Sequence, residues 1–183
     1  DQFFAALKEH CGKAYEGRLV SSDEADRDIG AERLIMDVRG CETDTVRIPF
    51  HVGANRSRTW VVTRQPDGLR LKHDHRHEDG AEDTITQYGG DTAGRGAAVR
   101  QEFPADQFSK DLFAREGLAA SVDNVWAIEI TDATFAFQPP AGHAPGEFGD
   151  FVAGLVSRIM PSARQTASPA APRAKPASEP AAQ

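Results

Sequence analysis

His73, His75 and His77 take alternate positions of "LKHDHRHEDG", residues 71–80, so half of the chain's six histidines fall within five residues. Three chemistries fit that spacing. On an extended strand, His-x-His separates two imidazoles by roughly 6.6 Å of backbone. Both rings can then converge on one ion, zinc or copper being the best matches, and Glu78, Asp79, Glu82 or Asp83 could complete the shell. Imidazoles combined with the guanidinia of Arg56 and Arg58 would instead hold an anion such as a carboxylate or phosphate. The plainest alternative is a satisfied polar network of the same histidines and arginines that ties down one end of a sheet. The two cations count against a dication.

The elements around the run decide where it points. Alternation puts Leu69, Leu71, His73, His75 and His77 on one strand face, and Arg70, Lys72, Asp74, Arg76 and Glu78 on the other. The preceding "RSRTWVVT" is a second strand, joined through the turn "QPDG". If Arg64 pairs with Leu69, Val62 faces Leu71, Trp60 faces His73, Arg58 faces His75 and Arg56 faces His77. One face then grades from apolar near the turn to His and Arg at the far end. That gradient predicts a greasy interior with a polar mouth, with His73 buried and Lys72 and Asp74 in solvent.

The rest of the chain supplies the walls. "DQFFAALKEHCG" reads as a short helix, with Phe3, Phe4, Leu7 and His10 on one face and Gly12 as its stop. After Gly17 the period becomes two, through Leu34, Met36 and Val38 and then Val46, Ile48, Phe50 and Val52. "DTITQYGG", "AAVRQEF", "NVWAIEIT" and "TFAFQ" continue the strands, and "PADQFSKDLF" is a helical turn or two with Pro104 near its start. Short connections imply antiparallel neighbours. The expected fold is all-β with minor α: a small antiparallel barrel of eight or nine strands, calycin-like, with the N-terminal helix across one end. A β-sandwich is the alternative. This domain covers 1–138. Residues 139–160 read as a loop and an amphipathic helix, and the Ala/Pro/Ser-rich 161–183 as a disordered tail.

Composition narrows the function. At 183 residues with 39% apolar side chains the chain can bury one core. Its net charge of −7 argues against nucleic-acid partners, and the basic tail leaves the domain more acidic still. No apolar run reaches the roughly 18 residues of a membrane span. Opening on Asp1 fits a mature exported protein. Ser57, Ser121 and Ser157 have no local context that marks a nucleophile, and the glycines of "YGGDT" and "GRG" read as turn chemistry. Cys11 and Cys41 fit no zinc or redox motif. They read either as one disulfide in an oxidising compartment, stabilising by roughly 3–4 kcal/mol, or as two free thiols.

The segments "FFAALKEHCG", "RSRTWVVT", "LKHDHRHEDG", "YGG", "FPADQ" and "NVWAIEI", spread over residues 3–138, resemble a family of exported, uncharacterised bacterial proteins. The resemblance implies export after signal cleavage and supports the Cys11–Cys41 pair, but it supplies no activity. Its members end in another alternating strand, where this chain has "PPAGHAPGEFGDFVAGLVSRIM". The expectation is therefore a periplasmic or secreted barrel that binds a small ligand, an anionic one fitting best, through His73, His75, His77, Arg56, Arg58 and Trp60. The alternatives are a metal protein or metal-dependent enzyme built on His73, His75 and His77, and a non-catalytic envelope scaffold.

Overall fold

The computed structural model describes residues 2–18 and 27–131, together with the backbone of 135–138, 153–154 and 159–161. Helix α1 (Gln2–Glu9) forms as its spacing predicts, burying Phe3, Phe4 and Leu7. It stops at Gly12, whose φ of +80° is a left-handed conformation that glycine adopts without strain. Strand β1 (Lys13–Gly17) follows. It was not legible in the sequence, because Tyr15 is its one buried residue and no alternation can be read. After the single turn α2 (Arg27–Gly30) come β2 (Leu34–Asp37), β3 (Thr45–Val52), β4 (Asn55–Gln65), β5 (Gly68–His75) and β6 (Tyr88–Asp91).

These strands form an antiparallel meander in chain order. A second antiparallel sheet holds β7 (Arg100–Pro104), β8 (Val125–Ile130), β9 (Phe135–Gln138) and the short β10 (Ala153–Gly154). Helix α3 (Gln107–Arg115) links β7 to β8, and β11 (Ile159–Pro161) pairs with β1 on the first sheet. The chain is thus mostly β, as expected. The two sheets share one core but no continuous ladder joins them among the described residues.

Several boundaries differ from the sequence reading. Most of the loop and amphipathic helix expected over 139–160 lies outside the described residues, and the two described stretches there are strands: Ala153–Gly154 pairs with β9, and Ile159–Pro161 with β1. Backbone pairing at a sheet edge there outweighs the helical spacing of the apolar residues. Pro161, placed in the tail, pairs with Lys13, while residues 162–183 lie outside the described part. Pro104 ends β7 on the outer edge of its sheet, where a missing N–H is tolerated. The helix starts later, capped by Asp106, whose side chain accepts from the Ser109 N–H. Of "DTITQYGG" only Tyr88, Gly89 and Gly90 are strand, which runs on to Asp91.

The sheets meet where β6 approaches β7. Asp106 N–H donates to the Gly89 carbonyl at 3.0 Å, and the Ser109 hydroxyl oxygen accepts the Gly89 N–H at 2.8 Å. A Cβ at Gly90 would lie 1.7 Å from the Pro104 carbonyl oxygen, so close approach, rather than turn chemistry, explains that glycine. Behind the seam, Trp60 and Tyr88 from the first sheet stack with Trp126 and Phe113 from the other side.

Candidate functional site

The β4–β5 hairpin has the register its turn predicts: Arg64↔Leu69, Val62↔Leu71, Trp60↔His73 and Arg58↔His75. Leu69, Leu71, Val62 and Trp60 are buried, and burial fades along the row from His73 (2% exposed) through half-buried His75 to exposed His77. The apolar-to-polar gradient is real. Two positions on the opposite face are drier than alternation suggests. Lys72 is half-buried and ion-paired with Asp106 at 2.5 Å, and Asp74 is half-buried against Arg76.

His73 sits between Trp60 and Tyr88, each ring centroid 4.6 Å away, with the His75 ring at 5.7 Å. Neither of its ring nitrogens has a hydrogen-bond partner among the described residues. Burial, reinforced by His75 and Arg58, holds its pKa well below the ordinary imidazole value, so the ring is neutral at neutral pH. The same burial lifts Tyr88 far above the usual phenol range. This inner layer is neutral and aromatic. The charges begin one residue further out.

There a β-bulge intervenes. From Phe50 to Val52 β3 advances two residues, while β4 uses three to run back from Arg58 to Asn55. The extra residue reverses the alternation at the end of β4, which is a common way for bulges to re-aim side chains. Ser57 therefore reaches His75, with Oγ 3.1 Å from Nε2, while the Arg56 guanidinium turns back to the carbonyls of Gly53 and Asn55 at 2.7 and 3.2 Å. The expected Arg56–His77 pairing is absent, since β5 pairs with β4 only as far as His75 and the His77 N–H turns to Ala81. A cleft of about 690 Å³ opens here, lined by Ala54, Asn55, Arg56, Ser57, His75, Arg76, His77 and Glu78. Of the six anticipated ligand contacts, Arg56, His75 and His77 line it. Trp60 and His73 lie in the layer beneath, and Arg58 is the cross-strand neighbour of His75.

Asp83 sits behind the two outer histidines, Oδ1 3.8 Å from His75 Nδ1 and Oδ2 3.8 Å from His77 Nε2. It is held there because Oδ1 also accepts the Ile85 N–H at 2.8 Å. Burial lowers the His75 pKa and Arg58 adds to that, while Asp83 pulls the other way. Arg76 is engaged by Asp74, Glu82 and the Gly80 carbonyl. No three His, Cys, Asp or Glu side chains among the described residues are grouped so as to hold a metal ion, so the zinc or copper reading finds no ligand set. His73 lies deeper along the same face, 2% exposed, while His75 and His77 each stand 3.8 Å from a different oxygen of Asp83.

Ser57, His75 and Asp83 have the outline of a nucleophile, base and orienting acid. The hydroxyl, however, donates to Asn55 Oδ1 at 2.6 Å, and 3.8 Å exceeds a hydrogen bond. Sequence reasoning missed Ser57 and Asn55, because a one-residue bulge leaves no compositional trace, and alternation set Arg76 on the opposite face. A second cleft, of about 660 Å³, lies at the other end of the hairpin beside Asp67, Gly68 and the glycine-rich 92–98 loop. Arg95 and Asp67 are its ionisable lining residues, so no cluster of charges converges there. No protein-family model matches the chain, and no curated protein or solved structure matches it.

Proposed function

We propose that this protein is an exported binder of a small anionic ligand, held in the cleft at the open end of the β4–β5 hairpin. One observation carries the reading: the cleft gathers Arg56, His75, Arg76 and His77 against Glu78 as its one acidic lining residue, in a chain whose net charge is −7. Two guanidinia beside two imidazoles on an acidic protein mark a place where negative charge is locally welcome. Trp60, His73 and Arg58 form the wall behind. Export is supported by the Cys11–Cys41 disulfide, because such bonds persist in oxidising compartments. No helix among the described residues is long and apolar enough to cross a membrane. As part of this reading the two sheets form one barrel. The β6–β7 seam supports closure on one side. On the other, β10 and β11 sit on the free edges of different sheets with residues 155–158 between them.

Thermal unfolding with sulfate, phosphate and small di- and tricarboxylates tests the proposal, each against chloride at equal ionic strength. One class should raise the melting temperature, since a ligand at a hundred times its Kd stabilises by about 2.7 kcal/mol. The shift should shrink in Arg56→Ala and His77→Ala. If no anion exceeds its chloride control, the reading is wrong and a scaffold role takes its place.

A further inference from the structure

The hydrogen-bond chain behind the cleft can be assigned proton by proton. Asn55 Oδ1 already accepts the Ser57 N–H at 2.9 Å, and as a carbonyl oxygen it cannot donate, so the Ser57 hydroxyl must give its proton to it across 2.6 Å. Ser57 Oγ then acts as acceptor toward His75 Nε2 at 3.1 Å, which places a proton on Nε2. In the neutral ring this leaves Nδ1 a bare lone pair. That atom is sealed from solvent without a hydrogen-bond partner, and a carboxylate oxygen of Asp83 lies 3.8 Å away. Lone pair and carboxylate repel. A second proton on the ring converts the repulsion into an N–H pointing at Asp83 and leaves every other bond of the chain unchanged.

We propose that the cleft takes up its anion together with one proton, carried on His75 Nδ1 and held there by Asp83. The proposal rests on the anion-binding reading above. The groups facing His75 set the balance. Arg58 from β4, His73 from its own strand and His77 just beyond that strand disfavour the extra charge, while Asp83 and Asp74 favour it. With the cleft empty, burial and Arg58 win and the ring is neutral at neutral pH. An anion beside Arg56 and His77 adds negative charge on the cleft side and reverses the balance. The site therefore favours strong-acid anions, which stay charged while His75 takes its proton from solvent. It binds them best below the ordinary imidazole pKa of about 6.5.

The probe is sulfate, which does not titrate near neutrality. Calorimetry at pH 6.5 in two buffers of different ionisation heat should show uptake of a large fraction of one proton per sulfate. Affinity should fall by up to about tenfold per pH unit as pH rises across the window of uptake. Asp83→Asn and His75→Gln should flatten that dependence. Should either variant fail to fold, the His75 ring resonances of the unaltered protein report the same event, its titration moving to higher pH when sulfate is added. Sulfate binding with no proton uptake, or uptake that persists in His75→Gln, overturns this inference and leaves anion binding standing. No sulfate binding at all overturns this inference too, and the anion-binding reading falls with it if phosphate and the carboxylates also fail to exceed chloride.

Discussion

Lys72 Nζ lies 2.5 Å from Asp106 Oδ2, which joins the outer face of β5 to the residue that caps α3. Asp106 also accepts from the Ser109 N–H and hydroxyl at 2.9 and 2.8 Å, and its own N–H reaches across the seam to Gly89. One side chain thus holds a helix start and a cross-sheet contact together. Both partners of the ion pair are largely shielded, so it should be worth more than a surface pair.

Asp106→Ala should therefore cost about 1–3 kcal/mol in urea unfolding, combining a lost N-cap with a lost charge-assisted bond. Burial would raise the Asp106 carboxyl pKa, but the bonds from Lys72 and Ser109 lower it overall. A depressed native carboxylate stabilises fully above its unfolded pKa of about 3.9 and loses that contribution as pH falls through the native value. The acid limb of the wild-type stability curve should accordingly be steeper than that of Asp106→Asn. Parallel limbs would place the pair among the energetically silent ones.

His73 gives a contrast between size and polarity. His73→Ala opens space among Trp60, Tyr88 and His75 and should cost about 2–4 kcal/mol. His73→Phe fills the space and removes two unsatisfied nitrogens, so it should stay within about 1 kcal/mol of wild type or exceed it. Equal losses in the two variants would mean that the ring nitrogens are bonded after all.

The same residue predicts a pH slope. The native His73 pKa is depressed by burial, so stability is fully present above the unfolded pKa of about 6.5 and declines as pH falls below it. One such group contributes a slope of up to about 1.4 kcal/mol per pH unit. His51 and His75, also depressed by burial, add to it. Between pH 6.5 and 5, urea midpoints of His73→Phe should fall less than those of wild type. Identical slopes would assign the effect to the other histidines.

Gly90 tests the seam. Gly90→Ala puts a methyl 1.7 Å from the Pro104 carbonyl and 3.1 Å from the Asp106 nitrogen, both backbone atoms that cannot swing away. A loss of about 1–3 kcal/mol is expected from forced separation of β6 and β7. Gly94→Ala, with nothing within 4 Å of its Cβ, is the control and should stay within about 0.5 kcal/mol.

The disulfide predicts a redox dependence. Cys11 and Cys41 are bonded with Cα atoms 6.3 Å apart, tying the end of α1 to the loop before β3. Closing a 30-residue separation should stabilise by roughly 3–4 kcal/mol, lost on reduction or in a Cys11→Ser, Cys41→Ser double variant. Thiol titration of the oxidised protein should detect no free sulfhydryl.

How much of this was legible depends on how local each cause is. The hairpin register follows from the turn "QPDG" and strict alternation, so Trp60 beside His73, Arg58 beside His75 and the burial of His73 could be read from residues 56–77 alone. Helix α1 and its stop at Gly12 were equally local, as period and breaker lie within a dozen residues. The cysteine pair needed only composition and a compartment argument. What escaped depends on partners distant in sequence. Lys72 looks wet until α3, more than thirty residues later, lies over it. Gly90 looks like a turn until Pro104 arrives against it. Ile159–Pro161 carries a helical spacing but finds an open strand edge at Lys13–Tyr15, and backbone hydrogen bonding to that edge decides its state. The site divides in the same way. Strand periodicity placed the histidines on one face, whereas the bulge opposite Phe50 and Val52 decided that Ser57 would reach the His75 ring and that Arg56 would turn back to Gly53 and Asn55 instead of meeting His77. Alternation is a property of one strand, but a bulge is a property of two, and only the folded pair of strands determines it.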